Sequence, residues 1–281
     1  MNRVVLSLPE EFRATPVYVV PILVSLTVGI VSTLLISLSE VELTSVTVLP
    51  ETGYGPLFNA AVFVLAAGLG ATMIYFLLKK GVHRFIRLLM SVAFSVLSFS
   101  LVVLYSELVL LITGLEVSFI LVFLLACFVS VFVVWQVSFK DGAVHKVVIL
   151  ALGGATGTLL GASIPILSAV LILLLLAVYD VVAVFRGPVG KIAAKGLEYL
   201  PGASFSFKDI HVGLGDLTFY SMLVSRMFLS FGWEACVAAT LGVLLGAFLS
   251  FKMVEKKGMF PGLPFSIVLG LLAAVMTSIL I

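Results

Sequence analysis

VVILALGGATGTLLGASIPILSAVLILLLLAVYDVVAVF, residues 147–185, decides the fold. The stretch is apolar almost without a break. A transmembrane helix needs ~20 such residues, so it is too long for one span. Gly161-Ala-Ser-Ile-Pro165 is the natural place to turn, since Gly and Pro punctuate helical runs. Two antiparallel spans result, and the second carries Asp180. The next apolar stretch, HVGLGDLTFYSMLV (211–224), carries Asp216. An acidic side chain at bilayer depth costs ~2.5–3.5 kcal/mol at a helix centre on insertion scales. Two of them on consecutive spans are expected to work together.

Working outward, the same pattern fills the chain. Of 281 residues 62% are hydrophobic and 11% charged, where a soluble domain carries about 25% charged residues. The expected class is an all-α membrane protein with nine transmembrane helices, at 17–38, 57–78, 88–112, 118–139, 147–161, 165–185, 213–233, 235–251 and 262–281. These use the whole length, so residues 1–281 read as a single polytopic membrane domain without a separate soluble one. The start, MNRVVLSLPEEFRATP, lacks a signal-peptide pattern, and the first long run reads as an uncut span. Cys127 and Cys236 lie in apolar runs as buried small hydrophobes, with no disulfide framework. No basic patch interleaved with aromatics points to nucleic acid.

Loop charge gives the direction. Arg3 and Arg13 precede the first span. Lys79, Lys80, Arg84 and Arg87 follow the second, Lys140 and Lys146 the fourth, Arg186, Lys191, Lys195 and Lys208 the sixth, and Lys252, Lys256 and Lys257 the eighth. All but Arg226 of the 16 basic residues thus fall on one side. Glu40, Glu42, Glu51, Glu107, Glu116 and Glu234 fall on the other. The positive-inside rule then places the N-terminus in the cytoplasm and the C-terminus outside. Asp180 lies six residues before Arg186, ~9 Å up its helix, and Asp216 five residues past His211, ~7–8 Å in. Both carboxylates are expected at one depth, toward the cytoplasmic face.

Two nearby carboxyls cannot both ionise easily and share a proton. The ionised one can take a proton from water as it attacks a peptide carbonyl, and the protonated one can donate to the carbonyl oxygen and then to the leaving nitrogen. Other hydrolytic chemistry lacks its residues. No HExxH is present. The histidines, His83, His145 and His211, all fall in expected cytoplasmic loops as solvated residues, which argues against a serine protease within the membrane. On residues alone two other readings stay open: aspartates that only tie helices together, and a proton or ion relay.

Tyr179-Asp180 on span six, Gly213-Leu214-Gly215-Asp216 on span seven and Pro261-Gly262-Leu263-Pro264 opening span nine resemble the YD, GxGD and PAL motifs of the presenilin and signal peptide peptidase family. They stand in the family's order and on its spans. The resemblance implies an intramembrane aspartyl protease that hydrolyses peptide bonds within transmembrane helices, with Asp180 and Asp216 as the catalytic pair and no metal or other cofactor. It implies substrate contacts from Tyr179, Gly213, Leu214, Gly215, Pro261, Gly262, Leu263 and Pro264. Spans one to five (1–161) become scaffold and spans six to nine (162–281) the catalytic portion.

Signal peptide peptidases have the opposite orientation, so the basic loops favour the presenilin direction and single-span substrates with their N-terminus outside. The chain is most similar to microbial members, implying a microbial plasma membrane, and its 186–212 loop is short where animal presenilins have a long cleavable one. Gly262 departs from the family's Ala. Prepilin-type peptidases also carry a GxGD aspartate, but the YD and span-nine motifs argue against them.

Other segments carry further expectations. Phe205–Ile210 alternates as a short strand that could pair with an unwound substrate. Pro188–Leu200 reads as an interfacial amphipathic helix. Gly153, Gly157 and Gly161, and Gly242 with Gly246, form small-xxx-small packing faces. Arg226 lies ~15 Å beyond Asp216 and is expected to snorkel outward or to pair with an outside glutamate.

Overall fold

The computed structural model describes residues 13–185, 200–258 and 260–280. A 3-10 turn (Pro16–Val19) leads into α1 (Val20–Ser39), followed by α2 (Gly55–Lys79), α3 (His83–Thr113), α4 (Phe119–Phe139), α5 (Ala143–Ser163) and α6 (Ile166–Phe185). A hairpin of β1 (Ser204–Phe207) and β2 (Ile210–Gly213) then precedes α7 (Leu214–Phe231), α8 (Trp233–Lys257) and α9 (Leu263–Leu280). Eight helices among the described residues are long and apolar enough to cross a membrane. The chain is an all-α membrane protein.

The remaining helix, α7, carries Asp216 and Arg226 within 18 residues. It holds these groups because protein surrounds it. Helices α1, α5, α6, α8 and α9 all pack against α7, and every residue from Tyr220 to Ser225 is buried. The approach of α5 depends on the expected glycine face. A Cβ on Gly153 would lie 2.7 Å from Leu217 Cβ, one on Gly157 2.6 Å from Ser221 Cβ, and one on Gly161 2.7 Å from the Met222 carbonyl oxygen. Gly242 and Gly246 serve the same purpose between α8 and α9, where added Cβ atoms would meet the backbone of Leu269 and Phe265. With backbones this close, hydroxyls join across helices: Thr33 Oγ1 donates to Ser225 Oγ at 2.8 Å, and Thr158 Oγ1 donates to the Gly29 carbonyl at 2.8 Å. Helix α7 turns into α8 at Gly232 alone, whose φ of +86° suits glycine.

Three sequence expectations change here, and a fourth is not reached. Helices α3, α5 and α8 run past the expected spans, because hydropathy marks the hydrocarbon boundary while backbone hydrogen bonding continues into charged residues such as Lys252–Lys257. His145 is not a solvated loop residue. It is buried in the first turn of α5, its Nδ1 2.9 Å from the Gln136 carbonyl oxygen. His83 opens α3, and His211 sits exposed in β2. The single strand at Phe205–Ile210 is a strand and a turn: β1 pairs antiparallel with β2, with Phe205 opposite Val212 and Phe207 opposite Ile210. The interfacial helix expected at Pro188–Leu200 lies, except for Leu200, outside the described residues.

Arg226 meets its expectation in part. Its Nε donates to Ser230 Oγ at 2.9 Å and its Nη1 to the Ile164 carbonyl at 3.3 Å, so it closes the open carbonyls after α5. The Glu51 carboxylate acts on it electrostatically. Glu51 itself accepts from the N–H and hydroxyl of Ser168 at the start of α6. Asn59 grips the same loop, bonding both the N–H and the carbonyl of Leu49 at 2.8 Å.

Candidate active site

Asp180 lies in the last turns of α6, in a helix without other acidic or basic residues. Asp216 lies in the first turn of α7, whose entry is set by the hairpin: the Leu214 N–H donates to the Ala203 carbonyl at 2.9 Å, prolonging the β1–β2 ladder to the helix start. Phe205, Ile210 and Val212 anchor that hairpin in the main core. Its turn is held from outside, where the Tyr18 hydroxyl donates to Asp209 Oδ2 at 2.7 Å.

The two carboxylates meet at the segment preceding α9. The Leu263 N–H donates to Asp180 Oδ2 at 3.1 Å. On the other flank, a Cβ added to Gly262 would stand 2.9 Å from Asp216 Oδ2 and 3.3 Å from the Tyr220 hydroxyl. Asp180 and Asp216 also interact electrostatically. Glycine at 262 is therefore the residue that lets the chain pass between them without a methyl against Asp216. Beside Asp216 a cavity of about 30 Å³ is lined by His211, Asp216, Tyr220, Ser250 and Gly262. A water needs ~10–15 Å³ measured this way and two or more polar partners, and this cavity supplies both.

The other residues expected from sequence divide into two groups. Gly213 and Pro261 belong to the site: Gly213 caps α7, and its would-be Cβ lies 3.5 Å from Asp216 Oδ2, while Pro261 is buried beside Gly262. Leu263 is buried in the core and contributes its N–H. Tyr179, Leu214 and Gly215 point elsewhere. The Tyr179 ring packs on α2, 3.4 Å from where a Cβ on Gly68 would stand. Leu214 packs toward Gly153 of α5, and Gly215 is exposed. Pro264 is half-buried in the first turn of α9.

Sequence reasoning missed Tyr220, Ser250 and His211. Tyr220 was findable, since residues four apart share a helix face and it follows Asp216 by four. Ser250 has no such mark, because its place depends on how α8 packs against α9. Among the described residues no cluster of three or more histidine, cysteine or acidic groups could hold a metal ion. A larger apolar groove of about 760 Å³ opens between α3, α4 and α5, and neither aspartate lines it.

A helical membrane bundle whose half-buried carboxylate pair faces one backbone segment, with a water-sized cavity beside one of the two, defines a class: membrane-embedded aspartate-pair proteins. Comparison with known proteins narrows it. The family model described as Presenilin matches residues 193–281, the stretch from just before the hairpin through α9, which includes Asp216. The structure of a presenilin family intramembrane aspartate protease in the C222 space group is 21% identical and aligns with 95% of this chain and 100% of that chain, at a TM-score of 0.67. A structure described in the same words, in the P2 space group, is 21% identical and aligns with 95% and 96%, at 0.65. No curated protein matches the chain in sequence. The chain is presenilin-like: in sequence over its last third, and in fold along nearly its whole length.

Proposed function

We propose that this protein is an intramembrane aspartyl protease, with Asp180 and Asp216 as its catalytic pair. The observation that carries the reading is the convergence of the two carboxylates on opposite flanks of Gly262–Leu263, within a presenilin fold. One carboxylate takes a proton from the attacking water. Its protonated neighbour donates to the scissile carbonyl oxygen and later to the leaving nitrogen. The small cavity beside Asp216 supplies a place for that water.

Charge and packing support a finer reading of orientation. All nine helices cross the bilayer, with the N-terminus in the cytoplasm and the C-terminus outside. Lys79 and Lys80 at the end of α2, Lys140 after α4, Lys208 in the hairpin turn and Lys252–Lys257 at the end of α8 support one cytoplasmic face. Substrates are transmembrane helices of single-span proteins with the N-terminus outside, cut near their cytoplasmic ends, and the membrane is a microbial plasma membrane. Residues 1–161 serve as scaffold and 162–281 as the catalytic portion. Gly213, Pro261, Gly262, Leu263 and Pro264 border the bound substrate, and Tyr179, Leu214 and Gly215 support that border from behind.

A substrate helix must unwind before water can reach its peptide bond. Among the described residues the sheet has only two strands, so an unwound substrate can add as a third strand beside β1. In this register the Phe207 N–H faces β2 and the Ser206 N–H faces the open edge, so Ser206→Pro removes a donor there, and unchanged cleavage in that variant would discard strand addition.

The protease reading is tested by reconstituting the protein with a synthetic transmembrane substrate and following cleavage in wild type, Asp180→Asn and Asp216→Asn. Both variants are expected to lose activity while keeping the wild-type unfolding temperature. If either cleaves as fast as wild type, the paired-carboxyl mechanism is wrong. A protein that conducts protons or ions but cuts nothing supports the relay reading instead.

A further inference from the structure

One peptide group joins four helices at this site. The carbonyl of Gly262 and the N–H of Leu263 are the two ends of the same amide. Its oxygen accepts from Tyr220 Oη on α7 at 3.0 Å, Ser250 Oγ on α8 at 3.3 Å and Ser266 Oγ on α9 at 3.3 Å. Its N–H donates to Asp180 on α6 at 3.1 Å. All three hydroxyl-bearing residues are buried, with 3%, 3% and 0% of their surface exposed. Donors on an amide oxygen polarise the group and strengthen its N–H as a donor. The hydroxyls therefore act on Asp180 through the amide, and they fix the plane in which the N–H points.

Tyr220 has a second connection. It stands one turn beyond Asp216 on α7, so its ring and Asp216 project from one face. Backbone of α7 fixes Asp216 relative to Tyr220, Tyr220 holds the amide, and the amide holds Asp180. This chain of rigid links runs from one carboxylate to the other.

We propose that Tyr220, supported by Ser250 and Ser266, is a positioning residue: through the Gly262–Leu263 amide it sets the separation and mutual orientation of Asp180 and Asp216. The inference rests on the aspartyl-protease reading. The three hydroxyls act on Asp180 through the amide, and Tyr220 and Ser250 also line the cavity beside Asp216. Tyr220→Phe removes the hydroxyl and keeps the ring that fills the core.

The test uses the full protein reconstituted in lipid with a synthetic transmembrane substrate. It compares wild type, Tyr220→Phe, Ser250→Ala and Ser250→Thr, measuring kcat, KM, unfolding temperature and affinity for a peptide hydroxyethylene isostere, which binds a poised carboxyl pair. Misplacement of reacting groups by about 1 Å costs up to ~10²-fold. Tyr220→Phe is expected to lower kcat roughly ten- to a hundredfold with KM little changed, the signature of an interaction realised in the transition state. Isostere affinity should fall in parallel, with the unfolding temperature held.

Ser250→Ala should give a smaller loss, and Ser250→Thr should restore it. That pair decides the matter if Tyr220→Phe does not fold. Wild-type kcat in Tyr220→Phe, or equal kcat in both Ser250 variants, overturns the positioning role and leaves the protease reading intact. A wild-type protein that cleaves nothing overturns both.

Discussion

Helices α4 and α7 are opposites. Helix α4 is made almost wholly of apolar residues and turns much of them outward: Phe119, Leu121, Leu124, Phe128 and Val131 are all exposed. It packs on α3 and, less closely, on α5. Helix α7 carries a carboxylate, a guanidinium and several hydroxyls, and it is packed on by five other helices. A water-soluble protein would have the polar helix outside. Here lipid is the solvent of α4 and protein is the solvent of α7, so polar groups gather where other chain segments can satisfy them. Hydropathy therefore reports lipid contact, and its failures report the interior. The helix that falls short of a membrane-spanning composition is the one that holds Asp216.

The largest effect that can break this contrast is chemical. Asp216→Asn keeps the shape of the side chain and removes its acid–base capacity, so cleavage should fall roughly 10³-fold, ~4 kcal/mol of transition-state stabilisation. Kinetics on a synthetic transmembrane substrate measure it. A loss of less than tenfold would make Asp216 a structural polar group like the Thr158 and Ser225 hydroxyls.

The next effect is steric. Gly157→Ala drives a methyl into the Thr218–Met222 backbone, and overpacking of this kind costs ~1–3 kcal/mol. Gly70 on α2 has nothing within 4 Å of its would-be Cβ. Gly70→Ala should be neutral or stabilising by up to ~1 kcal/mol, the helix-propensity difference. Unfolding in mixed detergent micelles compares the two. Equal losses would mean that the glycine face on α5 does not govern the approach of α7.

How much of this was legible in the sequence follows the same division. The lipid-facing helices could be read from their apolar lengths, and the two aspartates from their unlikeliness in such surroundings. The spacing of Gly153, Gly157 and Gly161 announced a packing face without saying that α7 would lie on it. The hairpin was half legible. Phe205 and Phe207 alternate as a strand, but its partner Ile210–Gly213 merges into the apolar start of α7, so only cross-strand pairing separates the two. His145 was misread because its neighbours Lys140, Asp141 and Lys146 are those of a loop. Its burial depends on the Gln136 carbonyl, at the far end of another helix. Ser250 could not be read at all, since nothing local distinguishes it from Thr240 or Ser278 on neighbouring faces.

Gly262→Ala gives the third effect, smaller because one side chain can give way. The added methyl would stand 2.9 Å from Asp216 Oδ2, so the carboxylate must move by a few tenths of an ångström. A reduction of kcat by ~3–10-fold is expected, well short of the loss from a full 1 Å displacement. Thermal unfolding should not change. The family that the sequence resembles has alanine here, so an unchanged rate would show that this chain's site already relaxes to accept it.

The smallest effect tests the lipid side of the comparison. Leu124 on α4 is 57% exposed, and the helices that α4 packs on among the described residues are α3 and α5. Truncating it to alanine exchanges leucine–lipid contact for lipid–lipid contact. No apolar surface moves into water in either the folded or the unfolded state, so the hydrophobic term that dominates such substitutions in soluble cores is missing. Alanine is also at least as good a helix former. The expected change in unfolding free energy is within about 0.5 kcal/mol. Leu223→Ala on α7, at 0% exposure and against Gly270 of α9, leaves a protein-lined void and should cost ~2 kcal/mol or more by the same measurement. If Leu124→Ala cost as much as Leu223→Ala, lipid could not be what covers α4. The face would then be packed against another polypeptide, and the variant should also shift the mass of the detergent-solubilised particle.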